Sequence, residues 1–177
     1  MSARRVKIDL VDVLVREARE DELDEIGELT AGVYAREDIA DDMYLAVLRD
    51  SRARWAAPAT TLLAAVDGGT EGVIGTVTYA APGSPWQDLA GPDEAEFRML
   101  AVPESARGRG VGESLVLACV DRAKRAGLAR LVLSTGPGSQ AAHRIYDRLG
   151  FARVPERDWW PRGDEGMRLA AYVLALR

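Results

Sequence analysis

The segment Arg107-Gly108-Arg109-Gly110-Val111-Gly112 alternates three glycines with other residues and carries two arginines. Ahead of it, Phe97 to Val102 is a β-favouring run closed by Pro103, which cannot donate to a sheet ladder. After it, Val111, Leu115, Ala118, Cys119 and Arg122 recur at helical spacing. The glycines therefore sit where a helix begins. There the first N–H groups have no intrahelical partner and the helix dipole presents partial positive charge, so glycines that keep side chains away let a phosphate come close. Arg107 and Arg109 add guanidinium groups whose geometry matches phosphate. The chemistry these residues suit is a pyrophosphate cradle; a solvated glycine- and arginine-rich loop is the plainer alternative.

Two nucleotide-binding patterns do not fit. A P-loop ends in Gly-Lys-Ser/Thr, and no lysine follows these glycines. A dinucleotide fold needs G-x-G-x-x-G and an acidic residue about 20 positions on, where Val132 stands. By contrast, Arg107-x-x-Gly110-x-Gly112 after a strand ending Leu100-x-Val102 resembles the acyl-CoA signature of the GCN5-related N-acetyltransferase family. Ser139 to Phe151, ending Tyr146-x-x-x-Gly150-Phe151, resembles that family's last helix.

The resemblance implies acetyl-CoA as cosubstrate, with Arg107, Gly108, Arg109, Gly110, Val111, Gly112 and Glu113 around its pyrophosphate. The main chain of Leu100, Ala101 and Val102 would hold the pantetheine amides, and an N–H there would face the oxyanion. Ser139 stands where the family often carries asparagine and takes its place beside the pantetheine arm. The implied reaction is direct attack of a primary amine on the thioester. An alkylamine has a pKa of about 10.4, so a base helps at neutral pH. Glu96 matches the position of the family's glutamate base in some members; Glu94, Glu96 and Arg98 alternate onto one strand face, so either carboxylate or a water is a candidate. Tyr146 matches the tyrosine that faces the CoA sulfur and donates a proton to it. A core role for Tyr146, which shares a helix face with Ala142 and Leu149, is the rival reading.

Positioning these residues requires a particular order of elements. Val11 to Arg16 suits a first strand and Asp21 an N-cap, with Leu23, Ile26, Leu29 and Val33 on one helix face. A second helix carries Tyr44, Val47 and Leu48; Asp41 and Asp42 either cap it or form an acidic rim. Thr60 to Val66 and Val73 to Ala80 read as a hairpin joined by a glycine-rich turn. Ala81 to Asp93 is irregular, Glu94 to Val102 is a strand, and the helix after the glycine turn stops at Gly127. Arg130 to Thr135 is a strand, Ser139 can cap the last helix, and Phe151 to Val154 with Met167 to Leu176 complete the sheet. This is the order of the N-acetyltransferase fold: an α/β architecture with a mixed, mostly antiparallel sheet of six to seven strands, about four helices and splayed central strands. Residues 1-10 read as a leader and 11-177 as one domain.

Composition bounds the rest. With 177 residues and 47% apolar content the chain suits one core, and a net charge of −5 argues against nucleic-acid binding while leaning towards cationic acceptors. One cysteine makes no internal disulfide, and one histidine with one cysteine makes no ordinary zinc site, so no metal and a reducing, cytoplasmic setting are expected. Asp9 and Asp12 interrupt any signal-peptide core, and no apolar span has membrane length, so a soluble protein is expected. Cys119 reads as a buried, inert thiol and His143 as a surface residue. Trp159-Trp160-Pro161 either walls the acceptor pocket or closes the sheet edge. In the family the acceptor is set by the segments that correspond to Ala35–Asp42 and Arg157–Gly166, whose mixed charges and aromatics leave an aminoglycoside, a polyamine, an amino acid and a protein N-terminus all open. Dimers are common among such folds, which leaves a homodimer open. A non-catalytic acyl-CoA-binding module, or an acyltransferase that uses a hydroxyl or a longer acyl chain, is the alternative function.

Overall fold

The computed structural model describes residues 13–161 and 166–177; the expected leader and the start of the expected first strand lie outside them. The elements are β1 (Val13–Glu17), α1 (Leu23–Arg36), α2 (Asp42–Arg49), α3 (Ser51–Trp55), β2 (Thr60–Asp67), β3 (Val73–Ala80), β4 (Glu94–Ala101), α4 (Val111–Arg125), β5 (Arg130–Thr135), α5 (Gln140–Leu149), β6 (Ala152–Arg153) and β7 (Ala170–Ala175).

Two helix boundaries differ from the sequence expectation. Asp21 lies inside a short 3-10 turn, and the entrance to α1 is organised instead by Glu22, whose carboxylate accepts the Arg19 N–H at 2.8 Å and one Arg16 guanidinium N–H at 2.9 Å. The expected second helix is two: Asp50 interrupts it, and its side chain accepts the Ala53 N–H at 3.0 Å to start α3. Asp41 does cap α2, accepting the Tyr44 N–H at 2.7 Å.

The sheet order is β1-β2-β3-β4-β5-β7-β6, with every neighbouring pair antiparallel except β4 and β5. That parallel ladder is short. Glu94 pairs with Arg130, Ala95 with Leu131 and Glu96 with Val132, and then the strands separate, although β4 runs on to Ala101 and β5 to Thr135. Beyond Glu96 the sheet is split into two wings.

The split is accompanied by a bulge. Between Thr78↔Arg98 and Thr76↔Ala101, β4 uses one residue more than β3, and Met99 takes φ 56°. A non-glycine residue in that region costs about 1–2 kcal/mol, and a bulge re-aims the side chains that follow it. One sheet face packs Phe97, Leu115, Leu133, Tyr146 and Phe151 beneath α4 and α5. On the other, Leu23 and Ile26 of α1 cover Leu62 and Ala64, while Met99 sits with Ala31 and Leu48, bordered by Tyr34, Tyr44 and Trp86.

Candidate active site

A cleft of about 1940 Å³ follows the split between β4 and β5. Leu100 and Val102 line one edge, Leu133 to Gly138 the other, and Gly108, Gly110 and Gly112 lie along the same wall. Its chemistry differs from end to end.

At the glycine turn the groups on offer are backbone N–H. The helical ladder of α4 begins with Ser114 donating to the Gly110 carbonyl at 3.0 Å; among the described residues, the N–H groups from Gly108 to Glu113 have no acceptor. Gly108 and Gly110 hold φ 76° and 75°, and a Cβ on either would meet no protein atom within 4 Å. Glycine is needed there for its backbone, and the space beside the turn is open. Unpaired N–H groups at a helix start with room beside them fit an anion such as a pyrophosphate. Gly112 is different. A Cβ there would lie 3.0 Å from Ile145 Cδ1, so this glycine also serves the packing of α4 on α5.

The arginines of the turn are not equivalent either. Arg107 lines the cleft, donates to the Val102 carbonyl at 3.3 Å and pairs with Glu37 at the end of α1. Arg109 turns away from the cleft wall to pair with Asp67 of the β2–β3 hairpin at 2.7 Å, because a carboxylate waits on that side. Its side chain is therefore spent on the hairpin rather than on the cradle. Glu113, a carboxylate in the first turn of α4, is held by Arg148 of α5, whose Nε donates to it at 2.9 Å. Sequence reasoning missed Arg148, which neutralises the acid beside the cradle and lines the cleft itself. Ser139 stands at the N-cap of α5 and lines the cleft, but its side chain makes no capping bond. Ala101 is buried and stands outside the cleft lining.

Tyr146 packs in the core and also reaches the cleft. Its ring lies 5.9 Å from Phe97, 5.8 Å from Phe151 and 5.9 Å from Tyr172, centroid to centroid. Yet the residue also lines the cleft. Burial pushes the phenol above its usual pKa, so it stays protonated at neutral pH.

Glu96 has a different place from the one expected. It is fully buried and absent from the cleft wall, and its Oε2 accepts N–H groups of Asp88, Leu89 and Ala90 at 2.9, 2.9 and 3.1 Å. Burial raises its pKa, against the pull of those N–H groups and of Arg98. Glu94 accepts the Gly91 N–H at 2.9 Å and pairs with Arg157 at 2.8 Å, and Arg157 donates to the Leu89 carbonyl at 2.8 Å. Arg98 donates to the Trp86 carbonyl at 3.0 Å and pairs with Asp88 at 2.8 Å. The irregular segment 81–93 is thus pinned from β4 by alternating charged residues and tied to the segment before β7. Trp86 and Asp88 reach the cleft as a result.

Across the cleft Asp158 is held by Arg153 through two hydrogen bonds of 2.5 and 2.6 Å, by Arg168 at 2.7 Å and by the Ala171 N–H at 2.9 Å. These contacts lower its pKa to about 2, the Arg153 bonds most. Cys119 is buried and outside the cleft, and burial raises its thiol pKa; His143 packs on Tyr172 at 5.8 Å, also outside the cleft. No helix among the described residues is long and apolar enough to cross a membrane.

Known proteins match both the sequence and the fold. Residues 23–151 match the family model described as the Acetyltransferase (GNAT) family. Over 55 residues the chain is 40% identical to N-alpha-acetyltransferase 30 of Schizosaccharomyces pombe, a match that covers 31% of this chain and 37% of that one. The matched segment is thus little more than a third of that relative's length. In structure the chain is similar to an acetyltransferase of the GNAT family from Staphylococcus aureus Mu50, with a TM-score of 0.73 at 15% identity, covering 94% of this chain and 100% of that one. It is also similar to yncA of Salmonella typhimurium, solved with its cofactor acetyl-CoA, with a TM-score of 0.64 at 20% identity over 94% and 95% of the two chains. A family model that takes in the glycine turn and the Tyr146 helix, together with a shared fold, settles the kinship: the chain belongs to the acetyltransferase (GNAT) family.

Proposed function

We propose that this protein transfers the acetyl group of acetyl-CoA to a primary amine by direct attack, without a covalent enzyme intermediate, in a reducing cytoplasmic setting. The observation that carries this reading is the run of N–H groups from Gly108 to Glu113, without an acceptor among the described residues, beside a split in the sheet. Acetyl-CoA supplies an activated acetyl thioester, and its pyrophosphate is the group suited to that run. Arg107 and Arg148 place guanidinium groups at the same wall, paired with Glu37 and Glu113. Leu100 and Val102, past the last β4–β5 pair, offer main-chain groups to the pantetheine arm.

Tyr146 acts as the general acid. Its phenol stays protonated until the thiolate departs, and the cost of burying an anion applies to the thiolate as much as to the phenolate. Glu96 serves as a positioning residue: with Oε2 occupied by segment 81–93 and no place on the cleft wall, it acts on the acceptor through Trp86 and Asp88. Water in the cleft then carries the amine proton away.

The test is calorimetric titration with acetyl-CoA beside ATP and NAD, followed by thiol release in the presence of amines. Saturable binding of acetyl-CoA alone with amine-dependent release is the expected result. Preference for a nucleotide overturns the cofactor assignment, and binding without release favours a non-catalytic acyl-CoA-binding module.

A further inference from the structure

We propose that Arg148 is a positioning residue: it holds the Glu113 carboxylate away from the Gly110 N–H, so that the glycine turn stays open to the pyrophosphate of acetyl-CoA. This rests on the acetyltransferase reading above and goes on to what keeps its cosubstrate site accessible. The observation behind it is a contrast among glutamates of this chain.

Glu113 is the third residue of α4, and Gly110 is the N-cap of that helix. A glutamate at this position ordinarily turns back and accepts the N–H of the N-cap residue, because its carboxylate is tethered beside an unpaired donor. Two other glutamates of the chain do so at the same spacing. Glu22 accepts the Arg19 N–H at 2.8 Å, and Glu94 accepts the Gly91 N–H at 2.9 Å. The second case even shares the pattern Gly-x-x-Glu. Both carboxylates also pair with arginines, Arg16 and Arg157, and take the backbone N–H and a guanidinium N–H on the same oxygen. An arginine partner alone therefore does not displace the turn. Glu113 behaves otherwise: among the described residues the bonds it accepts come from Arg148, whose Nε donates at 2.9 Å and whose second guanidinium nitrogen reaches the same oxygen. The Gly110 N–H is left without an acceptor among the described residues.

What differs is where the arginine stands. Arg16 and Arg157 lie on segments beside their turns, whereas Arg148 comes from another helix, α5. The packing of α5 on α4 brings it there. Gly112 has no Cβ, and Ile145 comes so close that a Cβ at 112 would lie 3.0 Å from its Cδ1. Arg148 follows Ile145 by three residues on the same face of α5. Arg148 and Glu113 both line the cleft. Their side chains are 59% and 31% exposed, and an ion pair so exposed adds little to stability. Its consequence is local. Released from Arg148, Glu113 caps Gly110 as Glu22 and Glu94 cap their own turns, and the pyrophosphate must then displace a tethered carboxylate of like charge.

The test is a double-variant cycle read by calorimetric titration with acetyl-CoA, in which the fitted affinity is independent of how much protein folds. Arg148→Met keeps the side-chain stem and removes the donors; its affinity for acetyl-CoA is expected to fall by roughly 10-fold. Removing the carboxylate as well restores binding: Arg148→Met combined with Glu113→Ala is expected within about 3-fold of Glu113→Ala alone. The amide proton resonance of Gly110, recorded without ligand, is the signature that a merely structural role would not move. It shifts downfield in Arg148→Met, as the N–H gains an acceptor, and returns in the double variant. A double variant that stays as weak as Arg148→Met means that Arg148 holds a phosphate of CoA itself and overturns the proposal. Unchanged affinity in Arg148→Met overturns it too, as does a fall in affinity with the Gly110 resonance unmoved. In each of these cases acetyl-CoA binding by the unaltered protein leaves the acetyltransferase reading standing; no binding by the unaltered protein overturns that reading, and this proposal with it.

Discussion

The two ends of the cleft are built by different means. The glycine-turn end is made of backbone: N–H groups at the start of α4, glycines at positive φ, and a strand edge released from its ladder. The acceptor end is made of side chains that hold other segments' backbones: Glu96 on residues 88 to 90, Arg157 on Leu89, Arg98 on Trp86, Asp158 on Ala171. A cradle made of backbone is insensitive to most substitutions and recognises a constant ligand. A wall held by long-range side-chain contacts is re-shaped by single changes, which suits the partner that varies. Breaking each kind of contact in turn tests this difference.

The largest effect is expected where the ends meet. Tyr146→Phe keeps the ring cluster with Phe97, Phe151 and Tyr172 and removes only the hydroxyl of a residue that lines the cleft. Stability should change little while kcat falls by about 10²-fold or more, the usual share of a general acid, with acetyl-CoA affinity retained. Turnover at the normal rate removes Tyr146 from the mechanism and leaves it a core residue. Next comes Gly110→Ala, at φ 75° with open space around the new Cβ. The backbone strain is about 1 kcal/mol, which the fold tolerates. Acetyl-CoA affinity should drop by roughly 10- to 100-fold as charged hydrogen bonds to the turn are lost. Affinity preserved in a folded variant sinks the cradle.

At the acceptor end the effects should be smaller and of another kind. Glu96→Gln weakens the grip on residues 88 to 90 and should raise the acceptor KM by roughly 3- to 10-fold, the scale of indirect coupling through a packed network. Calorimetric affinity for acetyl-CoA should not move. The acidic limb of the pH profile of kcat/KM should persist, since the proposed mechanism takes no proton onto Glu96. Were that limb to vanish with KM unchanged, Glu96 would be the base and the contrast between the two ends would fail.

The same contrast explains what the sequence reveals. Strand–turn–helix at Phe97 to Ala118, the stop at Gly127 and the hairpin from Thr60 to Ala80 are local patterns, and the structure carries them nearly residue for residue. The split of β4 from β5 follows from the family resemblance. By contrast, the partners of Glu96 are main-chain N–H groups that any residues at 88 to 90 would supply, so side-chain identity could not announce them. The available signal was Glu94, Glu96 and Arg98 alternating on the strand that follows an irregular, proline-rich segment. Arg109 reads as a phosphate ligand by type, and only the fold brings Asp67 to it. Asp50 followed by Ser51 was a legible capping signal inside a longer helical pattern, and it is where the second helix breaks.

The smallest expected effect concerns Asp158 and the wall that contains Trp159. Its side chain is 1% exposed and held by two guanidinium groups and one N–H, and its pKa is lowered to about 2. A carboxylate whose folded pKa lies below its unfolded value of about 3.9 contributes stability that is fully present above that value and is lost as pH falls through about 2. Solvent around Arg153 and Arg168, 36% and 54% exposed, discounts the Coulombic share, leaving on the order of 1–2 kcal/mol. Asp158→Asn should therefore lower Tm at pH 7 by roughly 2–8 °C. Urea unfolding of both proteins from pH 7 downwards should show a constant gap to about pH 5 and about half of it remaining at pH 3. A gap that is unchanged at pH 3 would mean that shape rather than charge holds this wall. Acetyl-CoA affinity should stay constant throughout, because the ion pairs that set this wall share no residue with the glycine turn.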